Sequence, residues 1–173
     1  MEKLDIQIIT KGSLSQDTEH DIPREYKPEF DNVTSIIEDI CEVFSVNENI
    51  IFHVSGFGQE NWPLDTRTDL LCGIEEINEI LNKISLYDFN FEWDLYEQGV
   101  ERTVGFKTEG AIIIATCTSH TDWQPNPKSI ESEREQVKEM FHKFKFDFCN
   151  IASIVCPNIA SHEWFIQWAG IKE

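Results

Sequence analysis

The stretch FNFEWDLYEQGVERTVGFKTEGAIIIATCTS, residues 89–119, carries period-two runs separated by glycine turns, and its reading decides the fold. In 89–97, Phe89, Phe91, Trp93 and Leu95 alternate with Asn90, Glu92, Asp94 and Tyr96, as in a strand with one buried face. Gln98-Gly99 turns the chain. In 100–108, Val100, Arg102, Val104 and Phe106 then alternate with Glu101, Thr103, Gly105 and Lys107. Glu109-Gly110 supplies the next turn, because glycine accepts the positive φ of tight hairpins. The third run, 111–119, holds an unbroken Ala-Ile-Ile-Ile-Ala core and predicts a central strand covered on both faces. The whole stretch predicts an antiparallel β-meander.

Working outward, 4–10 alternates Leu4, Ile6 and Ile8 with Asp5, Gln7 and Ile9, and 50–55 is a short apolar run carrying His53; both read as strands. Asp31 or Asn32 caps a helix with Val33, Ile36, Ile37, Ile40 and Phe44 at 3.6-residue spacing. Thr68 or Asp69 caps another, with Leu70, Leu71, Ile74, Ile77, Leu81 and Ile84 inward and Glu75, Glu76 and Glu79 outward; Gly73 weakens its first turn. Ser129 is expected to cap a long helix to Val155, with Val137, Met140, Phe141, Phe144, Phe148, Ile151, Ile154 and Val155 inward and a Glu139–Lys143 pair outside. Pro157 breaks it, and Ile159–Trp168 forms a last helix. The expected fold class is α+β, with the 89–119 meander in a sheet of about five strands packed by helices. One domain is expected over 1–173, since a chain of this length buries about two-thirds of its unfolded surface.

Cys41, Cys72, Cys117, Cys149 and Cys156 are odd in number, widely spaced and set in apolar patterns, which suits reduced thiols. His142, Cys149 and Cys156 recur every seven residues on a helix, about 10 Å apart, too far to share a zinc, and read as core. No metal or cofactor is expected. Met1 is followed by charge rather than an apolar segment, and no apolar run approaches the ~20 residues of a membrane helix, so the expectation is a cytoplasmic chain.

The net charge is -18, and its distribution matters more than its size: residues 32–106 carry 15 acids and 3 bases, whereas 107–173 carry 9 and 7. Such a field repels nucleic acid and anionic membranes and draws a cationic partner to the middle of the chain. It also serves solubility alone.

No catalytic constellation emerges. Thr118-Ser119-His120-Thr121-Asp122 gathers Ser, His and Asp, but neighbours on a strand face opposite ways and form no triad by themselves. Glu92 and Asp94 share a strand face about 7 Å apart, a two-carboxylate spacing that any acidic strand also produces. His162-Glu163 lacks the second histidine of a zinc helix. Gly56 and Gly58 lack the third glycine and the lysine of a phosphate loop.

Three segments carry a resemblance: Trp62-Pro-Leu-Asp-Thr-Arg-Thr-Asp-Leu70, Phe91-Glu-Trp-Asp-Leu-Tyr-Glu-Gln-Gly-Val-Glu-Arg102, and Thr116-Cys-Thr118 followed by Trp123. Across roughly residues 50–168 the chain resembles the small, acidic bacterial immunity proteins encoded beside polymorphic toxins. The resemblance implies a binding function without catalytic residues, toward a cognate toxin with a basic surface, often a nuclease. It leaves the oligomeric state open. The expected partner-binding residues are Glu92, Asp94, Tyr96, Glu97 and Glu101 on the meander, with Trp62 and Trp123 on two loops. Glu97 joins the others only if the turn bends it outward. The rival expectation is a small-molecule-binding or enzymatic α+β domain, with a pocket between loops 56–65 and 120–128.

Overall fold

The computed structural model describes residues 2–170. The element order is β1 (Asp5–Thr10), α1 (Val33–Val46), β2 (Ile50–Ser55), α2 (Thr68–Glu75), α3 (Ile77–Ser85), β3 (Phe91–Leu95), β4 (Arg102–Glu109), β5 (Ile112–Ser119), β6 (Ser129–Glu133), α4 (Arg134–Val155), α5 (Pro157–Ala160) and α6 (Glu163–Ala169). The fold is α+β, and the meander forms as expected: β3, β4 and β5 are adjacent and antiparallel.

The strands do not form one five-stranded sheet. β1 and β2 make a separate antiparallel pair, and β3-β4-β5-β6 make a sheet of four. The edge of β2 that a further strand would need is taken at Val54, whose carbonyl accepts the Trp62 N–H at 3.0 Å as the following loop folds back. α4 packs on the face of this pair, where Phe144 stacks on Phe52, the partner of Ile8 in the β1–β2 register.

Ser129–Glu133 is also not the start of the long helix. It is an edge strand whose Ile130 enters the core opposite Ala115, and the alternation of Ser-Ile-Glu-Ser-Glu has period two rather than 3.6. Helix α4 begins at Arg134, where the Gln136 side chain accepts the Glu133 N–H at 3.3 Å. Along that helix Lys143 pairs with Asp147 instead of Glu139, Ile154 is exposed, and Met140 is half-buried. His142 is likewise exposed, so the seven-residue series is not a core stripe. Strand β5 is central but fully covered on one face only: Ile113, Ala115 and Cys117 are buried, while Ile112 and Ile114 are half-exposed on the other side.

Helix α4 is the spine of the core, because its aromatic residues recur at three- and four-residue spacing and so share one stripe. Phe141 meets Phe91, Phe106 and Trp93 of the four-stranded sheet at centroid distances of 5.5, 5.4 and 6.5 Å. Phe144 stacks on Phe52 of β2 at 5.6 Å, and Phe148 meets Phe44 of α1 at 5.4 Å and Phe165 of α6 at 6.4 Å. The 68–85 region is two helices broken at Glu76. Neither Thr68 nor Asp69 caps the first, since both lie inside it; Asp65 just ahead accepts the N–H groups of Arg67 and Thr68, and Asp69 reaches back to the Asp65 N–H at 2.7 Å. The irregular 11–32 segment is pinned where the buried Asp21 carboxylate accepts the N–H groups of Asn158 and Ile159.

Gly73, unfavourable by helix propensity, has a packing reason. Its carbonyl accepts the Trp93 indole N–H at 2.9 Å, and a Cβ there would lie 3.0 Å from the Trp93 ring. Gly73→Ala should therefore lose about 1–2 kcal/mol by urea unfolding, because crowding the fully buried indole outweighs the ~1 kcal/mol that alanine gains in helix propensity.

Candidate functional site

The four-stranded sheet packs only one face inward. Its register aligns Phe91–Phe106–Ala115–Ile130 and Trp93–Val104–Cys117 on the core side. The outer face is built from the alternate residues. One row is Glu92, Gly105, Thr116 and Ser129; the next is Asp94, Thr103 and Thr118; another is Lys107, Ile114 and Glu131. Glu92, Asp94 and Tyr96 thus share a solvent-facing side, as the alternation predicts. Gly105, having no side chain, leaves an open depression of about 650 Å³ between Glu92, Lys107, Thr116 and Lys83.

Short polar contacts hold this surface. The Thr103 hydroxyl donates to Asp94 at 2.9 Å and lies 3.4 Å from His120 Nε2, and the Thr116 and Ser129 hydroxyls pair at 2.9 Å. Tyr96 is 55 % exposed, yet its hydroxyl donates to Glu75 Oε1 at the end of α2 at 2.6 Å. That bond, with some burial, raises the phenol well above its ordinary range. Tyr96 is therefore a held aromatic rather than a free one.

Glu97 leaves the patch. It follows Leu95 on the inward alternation and lies near Cys72 and Asp69 of α2, both raised chiefly by burial and further by the Glu97 charge. Glu101 closes the turn with φ 46°, and its carbonyl accepts the His120 N–H at 2.9 Å.

The two expected loop aromatics do come together, but over a residue instead of a pocket. Trp62 is buried at 5 % exposure and its indole N–H donates to the Gly56 carbonyl at 3.2 Å, so it is not a partner-facing anchor. Trp123 is half-buried. Their ring centroids are 6.2 Å apart, and the Arg102 guanidinium lies 4.4 Å from Trp62 and 3.5 Å from Trp123, nested in the corner the two rings make. The loops are closely fitted: Asn126 N–H donates to the Phe57 carbonyl, and a Cβ on Gly58 would fall 2.1 Å from the Asn126 carbonyl oxygen. The space expected for a ligand is filled by this stack. An open cleft of about 500 Å³ lies elsewhere, between β1 and α4, with Leu4, Ile6, Phe106, Val137 and Met140 among its lining.

Arg102 is the residue that sequence reasoning undervalued. Its place in the inward alternation with Val100, Val104 and Phe106 was the signal. It is buried at 3 % exposure, Nε and Nη1 have no hydrogen-bond partner among the described residues, and burial lowers its pKa.

The catalytic groupings do not assemble. Ser119 Oγ bonds to Thr121 rather than to His120, and Thr103 stands between Asp94 and His120, with its proton directed to the carboxylate. Among the described residues no group of three or more His, Cys, Asp or Glu side chains is placed to hold a metal ion. All five cysteines are free thiols; Cys149 is half-buried and the other four are buried. No protein-family model matches the chain, and neither a curated protein nor a solved structure matches it.

Two outcomes follow from the buried charges. Two cation–π contacts supply ~1–2 kcal/mol each, against a desolvation cost of several kcal/mol for an arginine without a counter-ion. Arg102→Met should keep the fold and match or exceed the parent by up to ~1 kcal/mol in urea unfolding, whereas Arg102→Ala should lose ~2–4 kcal/mol by emptying the corner between the indoles. Asp69 is held above the usual carboxylate range by burial, against the donation from the Asp65 N–H. A raised folded pKa means that the folded state binds the extra proton, so this group lowers stability as pH rises through the window above its unfolded value. Asp69→Asn should flatten that part of the stability–pH curve while still accepting the Asp65 N–H.

Proposed function

We propose that this chain is a cytoplasmic binding protein that neutralises a cationic partner protein, in the manner of the immunity proteins that it resembles. The observation that supports this reading is the outer face of the four-stranded sheet. Glu92 and Asp94 stand exposed on one side of the best-defined element, in a segment of net charge -12, next to the Gly105 depression and the held Tyr96. A charged, preformed surface with an aromatic at its margin steers association through its field and holds through the desolvated ring. Among the described residues no helix is long and apolar enough to cross a membrane. The cognate toxin is the product of the adjoining gene in this reading, and inhibition follows from occupancy of its basic surface.

The test uses that neighbouring gene product. Replacing Glu92, Glu97 and Glu101 by Gln and Asp94 by Asn should leave unfolding within ~0.5 kcal/mol, because none of the four is buried and solvent-accessible charges contribute little to stability. Association should slow roughly tenfold at low ionic strength and lose most of its salt dependence. Tyr96→Ala should act on dissociation instead, by about 2 kcal/mol. Within the quadruple variant, restoring Glu97 alone should recover nothing, since it lies against α2. An unchanged association rate and salt slope in the quadruple variant would reduce the acidic face to a solubility device.

A further inference from the structure

The hydrogen-bond parity of the sheet shows which backbone groups are left over. The Glu101 carbonyl accepts from the His120 N–H, and this pair continues the Arg102–Ser119 register. Odd-numbered residues of β4 therefore bond to β5, and Arg102, Val104 and Phe106 turn their backbone toward β3. The same parity holds on the next ladder, where Cys117 N–H donates to the Lys128 carbonyl at 3.0 Å. The partners of Arg102, Val104 and Phe106 are Leu95, Trp93 and Phe91. Glu92 and Asp94 consequently point N–H and C=O away from the sheet. β3 is an edge strand, and among the described residues no backbone group pairs with either of them.

Exposed apolar side chains flank that strand in the sequence. Leu86 and Tyr87 precede β3 at 72 % and 74 % exposure, and Tyr96 follows it at 55 %. Its middle is acidic. Two copies of the chain pairing through this edge would set Glu92 and Asp94 against each other, which disfavours self-association. A strand bearing cations removes that repulsion, because residues opposite Glu92 and Asp94 place their side chains on the same outer face.

We infer that β3 is a strand-addition site: an extended segment of a partner protein, with Lys or Arg at two alternate positions and large apolar residues flanking them, pairs with the backbone of Glu92 and Asp94. The cations meet Glu92 and Asp94, and the flanking residues cover Leu86–Tyr87 and Tyr96. Main-chain bonds supply affinity and the charge pattern supplies selection, as in other strand-addition complexes. This mode rests on the binding reading above and specifies how the partner is held; docking on the sheet face without backbone pairing is the competing geometry.

The experiment compares Glu92→Gln with Glu92→Pro. Both remove the charge, but only proline removes the outward N–H, and it leaves the β3–β4 ladder intact because that N–H takes no part in it. Amide exchange of Glu92 and Asp94 is followed in the wild-type chain, free and with the neighbouring gene product. It is also followed with a short peptide of alternating lysine and valine, and with the same peptide N-methylated along its pairing edge. Strand addition predicts that proline weakens binding roughly tenfold beyond glutamine. It also predicts that both amides, fast in the free chain, slow at least about tenfold with the partner and with the unmethylated peptide only. Equal defects for the two variants, with both amides still fast in the partner complex, would overturn strand addition while leaving the acidic-face reading intact. If the neighbour does not bind but the unmethylated peptide protects the amides, the edge site stands and the immunity reading falls. Failure of both to protect overturns the inference. Should the proline variant unfold, wild-type amide exchange decides alone.

Discussion

The aromatic stripe of α4 is the contact on which the rest of the structure depends. Phe141, Phe144 and Phe148 are fully buried, and each serves a different layer: the four-stranded sheet, the two-stranded pair, and the α1–α6 helices. The two sheets share no ladder, so their mutual position is set by side chains packed on this helix rather than by hydrogen bonds. Close-packed aromatic contacts tolerate little displacement, and the single stripe therefore fixes both sheets at once.

A consequence of that arrangement is the free outer face. Helices cover the inner side of the four-stranded sheet, and the polar alternate residues of β3, β4, β5 and β6 are left to water. The acids of the middle segment do not gather there uniformly. Glu92 and Asp94 do, while Glu97 lies near Asp69 of α2, whose carboxyl is raised by burial and by repulsion from Asp65 and Glu97. An exposed acidic face and a cluster that costs stability thus arise from the same excess of charge, separated by one residue of strand parity.

Arg102 shows the opposite sign of the same problem. In a chain with 32 acids, a buried guanidinium is enclosed by two indoles and, among the described residues, forms no ion pair. Its cost is offset by ring contacts and by the packing of the 56–65 and 120–128 loops around it. The loops are tied together at this point, and the corner between the indoles is occupied by protein instead of ligand.

Period-two alternation and glycine turns determined the meander, its antiparallel order and which side of β3 faces water, because strand geometry assigns faces from local sequence alone. The helix start at Asp31 or Asn32, the β2 boundaries and the aromatic stripe of α4 were equally local. Tertiary structure alone decided what depended on distant partners. Ser129–Glu133 became a strand because the β5 edge lies beside it, and on the β2 edge the Trp62 N–H takes the Val54 carbonyl that another strand would use. Glycine at 73 is read as a helix weakness from propensity, yet the Trp93 indole resting on it makes it a packing requirement. The fate of Trp62 and Trp123 was likewise beyond composition and spacing. Whether an aromatic on a loop meets solvent or a buried cation depends on which residue of another strand arrives beneath it, and here that residue is Arg102.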